Sequence, residues 1–244
     1  MREYIHRFYR RQMRAEGLVS FQVRLKESDL FIWALRDLRE EALDSLTRHR
    51  SLLEEFIARQ PLFAATFRPY AVPVEAPEIV RRMAEAAARA HVGPMAAVAG
   101  AVAEMVGLDL LPLSPELMVE NGGDIFLSSR SERRIGIFAG ESPFSGRLAL
   151  VVAPTPPQGL GICTSSATVG PSYSAGAADA ALVVAESASL ADAAATALGN
   201  RVKSPEDMEE ALAYVAGLEG VTGCLVIMGD RLGVRGDLRL ERAG

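Results

Sequence analysis

The sequence predicts an α+β fold: one domain over residues 1–244, of mainly antiparallel sheet with packed helices. Three observations carry that prediction. Apolar residues recur at helical spacing in five segments, 35–59, 77–91, 94–106, 189–199 and 205–216. Strand-like runs cluster between these segments instead of alternating with single helices, which argues against a doubly wound parallel sheet. No linker-like tract or clean repeat divides the 244 residues, and a chain of that length can bury a sizeable core without disulfides or a structural metal.

The elements follow in order. Phe21, Val23 and Leu25 alternate with Gln22 and Arg24, the period of a half-buried strand, and 30–33 is a second short apolar run. A long amphipathic helix comes next, with Leu35, Leu38, Ala42, Leu46, His49, Leu53 and Phe56 on its stripe. His49 on such a stripe reads as a satisfied core histidine. Pro61, Pro69 and Pro73 mark an extended connection that ends this helix. Pro77 suits the first turn of a new helix, with Ile79, Val80, Met83, Ala87 and Ala90 on one face.

The segment 94–106 is apolar almost all round, which predicts a buried helix. Gly93, Gly100 and Gly107 recur at heptad spacing, so one side lets another backbone approach closely. Strands are expected at 125–127, 135–138, 148–152, 160–163 and 181–184. Ser189 and Asp192 form an S-x-x-D start for the fourth helix, and Gly199-Asn200 stops it. Ser204-Pro205-Glu206-Asp207 starts the last helix in the same manner, with Met208, Ala211, Leu212 and Val215 inward. Strands at 224–228, 232–234 and 238–240 close the chain.

Composition removes several function classes. With 26 basic and 31 acidic residues the net charge is −5, so the whole chain has no attraction for nucleic acid. The arginine-rich start (Arg2, Arg7, Arg10, Arg11, Arg14) is interleaved with Tyr4, Phe8 and Tyr9 and reads as a solvated strand face. Cys163 and Cys224, both in apolar runs, rule out a disulfide framework and a four-thiolate zinc site. His6, His49 and His91 lie far apart and match no metal pattern. No apolar leader region follows the basic start, and the longest apolar stretch, 95–108, is too short to span a bilayer. The expectation is a cytoplasmic protein with no membrane partner.

The residues that could carry chemistry lie in small-residue segments. Asn121-Gly122-Gly123-Asp124 sits between two apolar strand-like runs. It reads either as a tight hairpin turn needing positive φ or as a turn bare enough for a flat ligand or phosphate to touch the backbone. In the second reading Asp124 accepts from a ring N–H or a ribose hydroxyl. Asp192 and Thr196, four residues apart, share one face of a helix's first turn. A capping box explains Asp192 alone; together the two offer hard oxygen ligands that suit Mg²⁺ bound jointly with a phosphate. Only Lys26 and Lys203 are lysines, and neither is near these segments in sequence. A pyrophosphate here would depend on backbone N–H groups, an arginine or a metal.

Asn121-Gly122-Gly123-Asp124-Ile125, then Thr164-Ser165-Ser166, then 191–199 (Ala-Asp-Ala-Ala-Ala-Thr-Ala-Leu-Gly) stand in the order found in ApbE-type FAD:protein FMN transferases. The chain resembles a shorter, uncharacterised branch of that superfamily, by motif over about residues 93 to 200. The flanking Lys26-Glu27-Ser28-Asp29-Leu30 and the closing strands look alike too.

The resemblance implies an α+β fold that binds FAD and uses Mg²⁺ to move the FMN half onto a protein Thr or Ser. It assigns Asp192, Thr196 and a backbone carbonyl near Val98 to the metal. It sets Gly122, Gly123 and Asp124 beside the nucleotide, and Thr164, Ser165 and Ser166 along the same cleft. Two departures stand out. The transferases read Ala-Lys-Gly-Tyr where this chain has Val98-Ala99-Gly100-Ala101, and the stretch 170–176, which matches their His-bearing segment, has no histidine. Ser166-Ala167-Thr168 resembles the end of an acceptor motif, but the family's own Thr-Ser-Gly segment explains it better.

Three expectations follow: a flavin- or nucleotide-binding protein with Mg²⁺-dependent transfer; a non-catalytic ligand-binding relative that has lost that chemistry; or a structural subunit whose exposed apolar strands serve homo-oligomerisation.

Overall fold

The computed structural model describes residues 17–166 and 176–243. The N-terminal arginine segment, His6, Thr168 and nearly all of the 170–176 stretch lie outside them.

The α+β prediction holds. β1 (Val19–Leu25) and β2 (Ser28–Ala34) form a hairpin, and β3 (Leu117–Asn121), β4 (Asp124–Ser128), β7 (Leu160–Ser165), β8 (Ala180–Ala185), β9 (Val221–Met228) and β10 (Arg231–Gly236) complete one eight-stranded sheet. Its strand order is β1-β2-β3-β4-β7-β8-β9-β10, with every neighbouring pair antiparallel. The one jump in sequence, from β4 to β7, is made because β5 (Arg133–Ile137) and β6 (Leu148–Val152) leave to pair with β11 (Arg239–Arg242) in a second, three-stranded sheet. One core lies between the large sheet and the helices, holding Phe21, Leu46, Met83, Val106, Phe126 and Leu198 among others. A second core lies between the two sheets, around Trp33, Leu127, Ile137, Leu150 and Ile227. Covered on both faces, β3, β4 and β8 are buried at every position, which is why their sequences do not alternate.

The helices cover one face of the large sheet. α1 (Arg39–Arg59) buries Ala42, Leu46, His49 and Leu53, as the stripe predicts, but starts four residues later than expected and leaves Leu35 half exposed. Asp37-Leu38 precedes it, and the Asp37 carboxylate takes the Arg39 N–H. Pro61 does not extend the chain. It opens a short helix, α2 (Pro61–Ala65), at the position where its missing N–H costs nothing. α3 (Glu78–Ala90) follows Pro77.

After a 3-10 turn over Pro94–Ala97, α4 (Val98–Leu110) is buried over 100–107, Glu104 included. The heptad glycines explain how it fits. A Cβ on Gly93 would lie 2.0 Å from the Thr66 carbonyl oxygen, one on Gly100 2.2 Å from that of Ala188, and one on Gly107 2.2 Å from the Phe126 ring.

α5 (Ala188–Arg201) corrects the sequence reading at both ends. Its cap is Ser187, whose hydroxyl accepts from the Leu190 N–H, not Ser189. It also runs through Gly199-Asn200 to Arg201, because Gly199 lies in the buried seam against Ser165 and Ala181, where tertiary packing outweighs the cost of a helical glycine. The capping box at Ser204 and Asp207 is present as read, leading through a single turn into α6 (Met208–Ala216).

Candidate functional site

β3 and β4 are joined by two residues, Gly122 and Gly123, both at positive φ (72° and 108°). A two-residue connection of this kind demands left-handed backbone at both positions, which only glycine adopts cheaply. The hairpin reading of 121–124 is therefore geometrically correct, and specific bonds hold Asn121, Gly123 and Asp124. The Glu120 carboxylate, fully buried, accepts the Gly123 N–H at 2.8 Å. The Asn121 amide donates to the Ala99 carbonyl at 3.1 Å, which ties the turn to the start of α4. Asp124, 8% exposed, stands opposite Asn121 and next to β7, where Cys163 and the Thr164 N–H face it.

The start of α4 is held from the other side by α5. Asp192 accepts the Gly100 N–H at 2.9 Å, and the Ala99 N–H also points to it. It caps not its own helix but the neighbouring one, satisfying donors that the first turn of α4 leaves free. The relation is reciprocal. Glu104 of α4 accepts the Ser189 N–H at 2.8 Å and the Ser189 hydroxyl at 2.7 Å, so it caps α5, while Arg82 of α3 neutralises it at 2.5 Å. The apolar segment 95–108 thus contains its one acid for a structural purpose that the pattern of neighbours in sequence does not display.

These bonds bring 98–100, 121–124, 163–164 and 192 together, although they are up to 94 residues apart in sequence. Ser165 lies further along β7 and faces the last turn of α5 at Gly199. Ser166 follows the strand, part-exposed. Thr196 is one turn beyond Asp192 and is likewise part-exposed, and Val98 is the first residue of α4.

The electrostatics of the site are those of two crowded acids. Burial, followed by the negative charges of Asp192 and Glu120, pushes the Asp124 carboxyl well above the usual carboxylate range, against the pull of Cys163 and the Thr164 N–H. Burial likewise pushes Asp192 up to about 7, against the two N–H groups at the start of α4. The Cys163 thiol is driven up by burial and then by both carboxylates, so it stays a thiol, as a core cysteine should. Among the described residues no lysine or arginine pairs with Asp124 or Asp192. Lys26 pairs with Glu54, and Arg82 is taken by Glu78 and Glu104.

The donor set suits a hard cation bound in part by its ligand. Among the described residues no three His, Cys, Asp or Glu side chains form a cage. Two carboxylates with a hydroxyl one helical turn away are what Mg²⁺ uses when phosphate oxygens complete its shell. Two cavities lie away from the glycine turn: one of about 300 Å³ at the start of α5 beside Arg82 and Glu104, and an open groove of about 590 Å³ between α6 and β10.

Helices on one face of a mainly antiparallel sheet, a small second sheet on the other, and a glycine hairpin meeting two helix starts define the ApbE-like α+β class. A variant of the flavin transferase ApbE from Vibrio cholerae superposes with a TM-score of 0.56 at 16% identity, over 91% of this chain and 97% of that one. The apo flavinyl transferase ApbE of Pseudomonas stutzeri does so with 0.53 at 17% identity, over 89% and 93%.

The chain belongs to the family described as "AbpE bacteria", whose model matches residues 10–216. It is 45% identical over 215 residues to a UPF0280 protein of Methanocella arvoryzae, covering 88% of this chain and 87% of that protein. A UPF0280 protein of Methanosarcina acetivorans is 42% identical over 207 residues, covering 84% and 81%. Among the described residues no single helix is long and apolar enough to cross a membrane.

Proposed function

We propose that this protein is a cytoplasmic flavin- or nucleotide-binding protein that holds FAD or a similar nucleotide at the Gly122-Gly123 turn, with Mg²⁺ shared between the ligand and the chain. Asp192, Thr196 and the Val98 carbonyl would supply the chain's ligands to the metal. Gly122 and Gly123 leave the backbone bare for a flat ring, Asp124 accepts from the ring or ribose, and the hydroxyls of Thr164, Ser165 and Ser166 line the approach. Mg²⁺, when bound, would neutralise phosphate charge and polarise a phosphoanhydride bond.

The observation that carries this reading is the pair of acids at the meeting point of β4 and α5. Asp124 and Asp192 crowd each other in a largely buried place where no lysine or arginine of the described residues neutralises them. Two such groups left to themselves oppose folding; a divalent cation bound with a nucleotide turns the same pair into a binding site. The flavin transferases that share the fold support the nature of the ligand.

A second reading, binding without transfer, is favoured by one specific feature. The start of α4 presents Val98-Ala99-Gly100-Ala101, so it carries neither a lysine nor an aromatic ring. His49 is engaged with Asp109 at the far end of α4, and His91 ends α3. An acceptor hydroxyl would need a base from elsewhere.

Titration of FAD and of ADP into the protein, with Mg²⁺ and with chelator, tests the binding. Tight binding only with Mg²⁺, lost in Asp192→Asn while the fold survives, is the expected result. Binding of neither nucleotide, or equal binding in chelator, refutes the metal role. Release of AMP from FAD with an added acceptor protein then separates transfer from binding alone.

A further inference from the structure

The large sheet ends at β10, and this edge has the makings of a contact. The Asp237 N–H continues the β9 ladder by donating to the Thr222 carbonyl at 3.0 Å, in register with the pairs from Arg231↔Met228 to Gly236↔Gly223. Residues of the same parity therefore turn their backbone groups inward to β9, and those of Leu232 and Val234 point out from the sheet. No turn or side-chain bond among the described residues takes them.

The two faces of the strand differ. The odd face looks to α6, since a Cβ on Gly233 would lie 2.7 Å from Leu212. Arg231 and Arg235 flank that glycine, both exposed, along the open groove of about 590 Å³ between β10 and α6. The even face continues the inter-sheet core past its covering, leaving Leu232 36% and Val234 41% exposed beside Ile227 and Leu225. An edge with free backbone groups and exposed aliphatic side chains is a template for another strand unless charge forbids it.

We propose that the occupant is a second copy of this chain, its β10 pairing antiparallel with this one about a two-fold axis through Val234. Charge selects the partner and the register. With Val234 opposite Val234 of the second copy, Leu232 falls opposite Gly236. Arg231 then falls opposite Asp237 of the second copy, an opposite-charge pair that the symmetry makes twice. Arg231, Arg235 and Asp237 are exposed, and the Arg231 charge, which also acts on Glu206, has no salt bridge within reach among the described residues.

The neighbouring registers fail. Centring on Gly233 sets Arg231 against Arg235, like charge on like. Centring on Leu232 sets Val234 against Asp230 of the hairpin turn and Arg231 against Gly233, with no opposite-charge pair. In the favoured register the two Val234 residues exchange both hydrogen bonds, and the Leu232 carbonyl accepts the Gly236 N–H, while the Gly236 carbonyl is already taken by the Leu238 N–H at 3.2 Å. The contact joins two eight-stranded sheets edge to edge and does not depend on what the nucleotide site binds.

The test is the solution mass of the full chain by light scattering and sedimentation equilibrium, with a charge-swap pair of variants. Wild-type protein is expected at twice 26.1 kDa. Asp237→Arg puts arginine opposite arginine at two places and should weaken the dimer on the order of tenfold or more. Adding Arg231→Asp in the same chain restores opposite charges and should restore the dimer. Both positions are exposed, so circular dichroism of the variants should match wild type. A wild-type chain that stays monomeric at concentrations on the order of 100 μM overturns the proposal. So does a dimer that Asp237→Arg leaves unchanged, or one that the double variant fails to recover.

Discussion

Replacing Gly100 by alanine should separate α4 from α5 and loosen the candidate site with them. An added Cβ would sit 2.2 Å from the Ala188 carbonyl oxygen and 2.8 Å from both the Ala188 carbonyl carbon and the Asp192 Cβ. Two of these atoms belong to the backbone at the start of α5, so no rotamer change relieves the overlap. The helices must part by about 1 Å to reach ordinary contact. Overpacking of this kind costs about 1–3 kcal/mol, and the better helix propensity of alanine returns at most about 1 kcal/mol. A net loss of about 2 kcal/mol lowers the melting midpoint of a chain this size by about 4–8 °C.

The same shift stretches the Gly100 N–H to Asp192 bond, so Mg²⁺-dependent nucleotide affinity should fall along with stability. Gly217→Ala is the control, because its Cβ meets nothing closer than 3.4 Å and its φ is −83°. It should move the midpoint by no more than about 2 °C, as surface substitutions do. Thermal melts followed by circular dichroism measure both. A Gly100→Ala protein as stable as wild type, or indistinguishable from Gly217→Ala, would refute the close approach of the two helices.

Three further outcomes are expected. Glu104→Ala strips the Ser189 N–H and hydroxyl of their acceptor and leaves Arg82 without its buried partner, so urea denaturation should show a loss of about 3 kcal/mol or more; a loss below about 1 kcal/mol would mean that these bonds are idle. Asp109 is held below the usual carboxylate range because Ser45, His49 and Arg48 all reach its Oδ2 and together outweigh its burial. A carboxyl lowered in the fold stabilises above its unfolded pKa and loses that contribution as pH falls through the folded one. Asp109→Asn should therefore flatten the acid limb of stability below about pH 4, and an unchanged acid limb would contradict it. Asp192 is the opposite case, rising from 3.8 to about 7. Between those values the folded chain holds a proton that the unfolded chain has lost, so metal-free stability should fall as pH rises across that window. Asp192 contributes up to about 1.4 kcal/mol per pH unit to that slope, so the slope should become shallower in Asp192→Asn, with Asp124 supplying what is left.

The sequence displays the elements far better than their ends. Periodicity finds the helices and most of the strands because apolar spacing is what burial requires of each element alone. Boundaries go astray where a third party decides them. Ser189 looks like a cap by its neighbours in sequence, yet its N–H and hydroxyl are taken by Glu104, 85 residues away, and Ser187 does the capping. Gly199-Asn200 looks like a stop, but the buried seam with β7 and β8 carries the helix on. The glycine spacing of α4 announces close approach without naming what approaches, since Thr66, Ala188 and Phe126 come from three different elements.

The candidate site shows the same division. Gly122-Gly123 is legible as a two-residue turn, because the chemistry of positive φ is local. The weight of Asp192 is not legible, because it rests on Gly100, and the acid that Asp192 crowds is on β4. A local capping rule and a distant ligand role were the two meanings that spacing offered for this residue. The fold supplies a third. By capping α4, Asp192 fixes the start of the helix whose Ala99 carbonyl holds Asn121, and Asn121 begins the glycine turn. A change at Asp192 is therefore felt at the turn through two hydrogen bonds before any ligand is considered. Thermal stability and nucleotide affinity must be measured on the same variant to tell the two roles apart. Asn at this position keeps an oxygen to accept the Gly100 N–H while giving up the charge. Asp192→Asn thus separates the structural bond from the electrostatic one, and an alanine there would not.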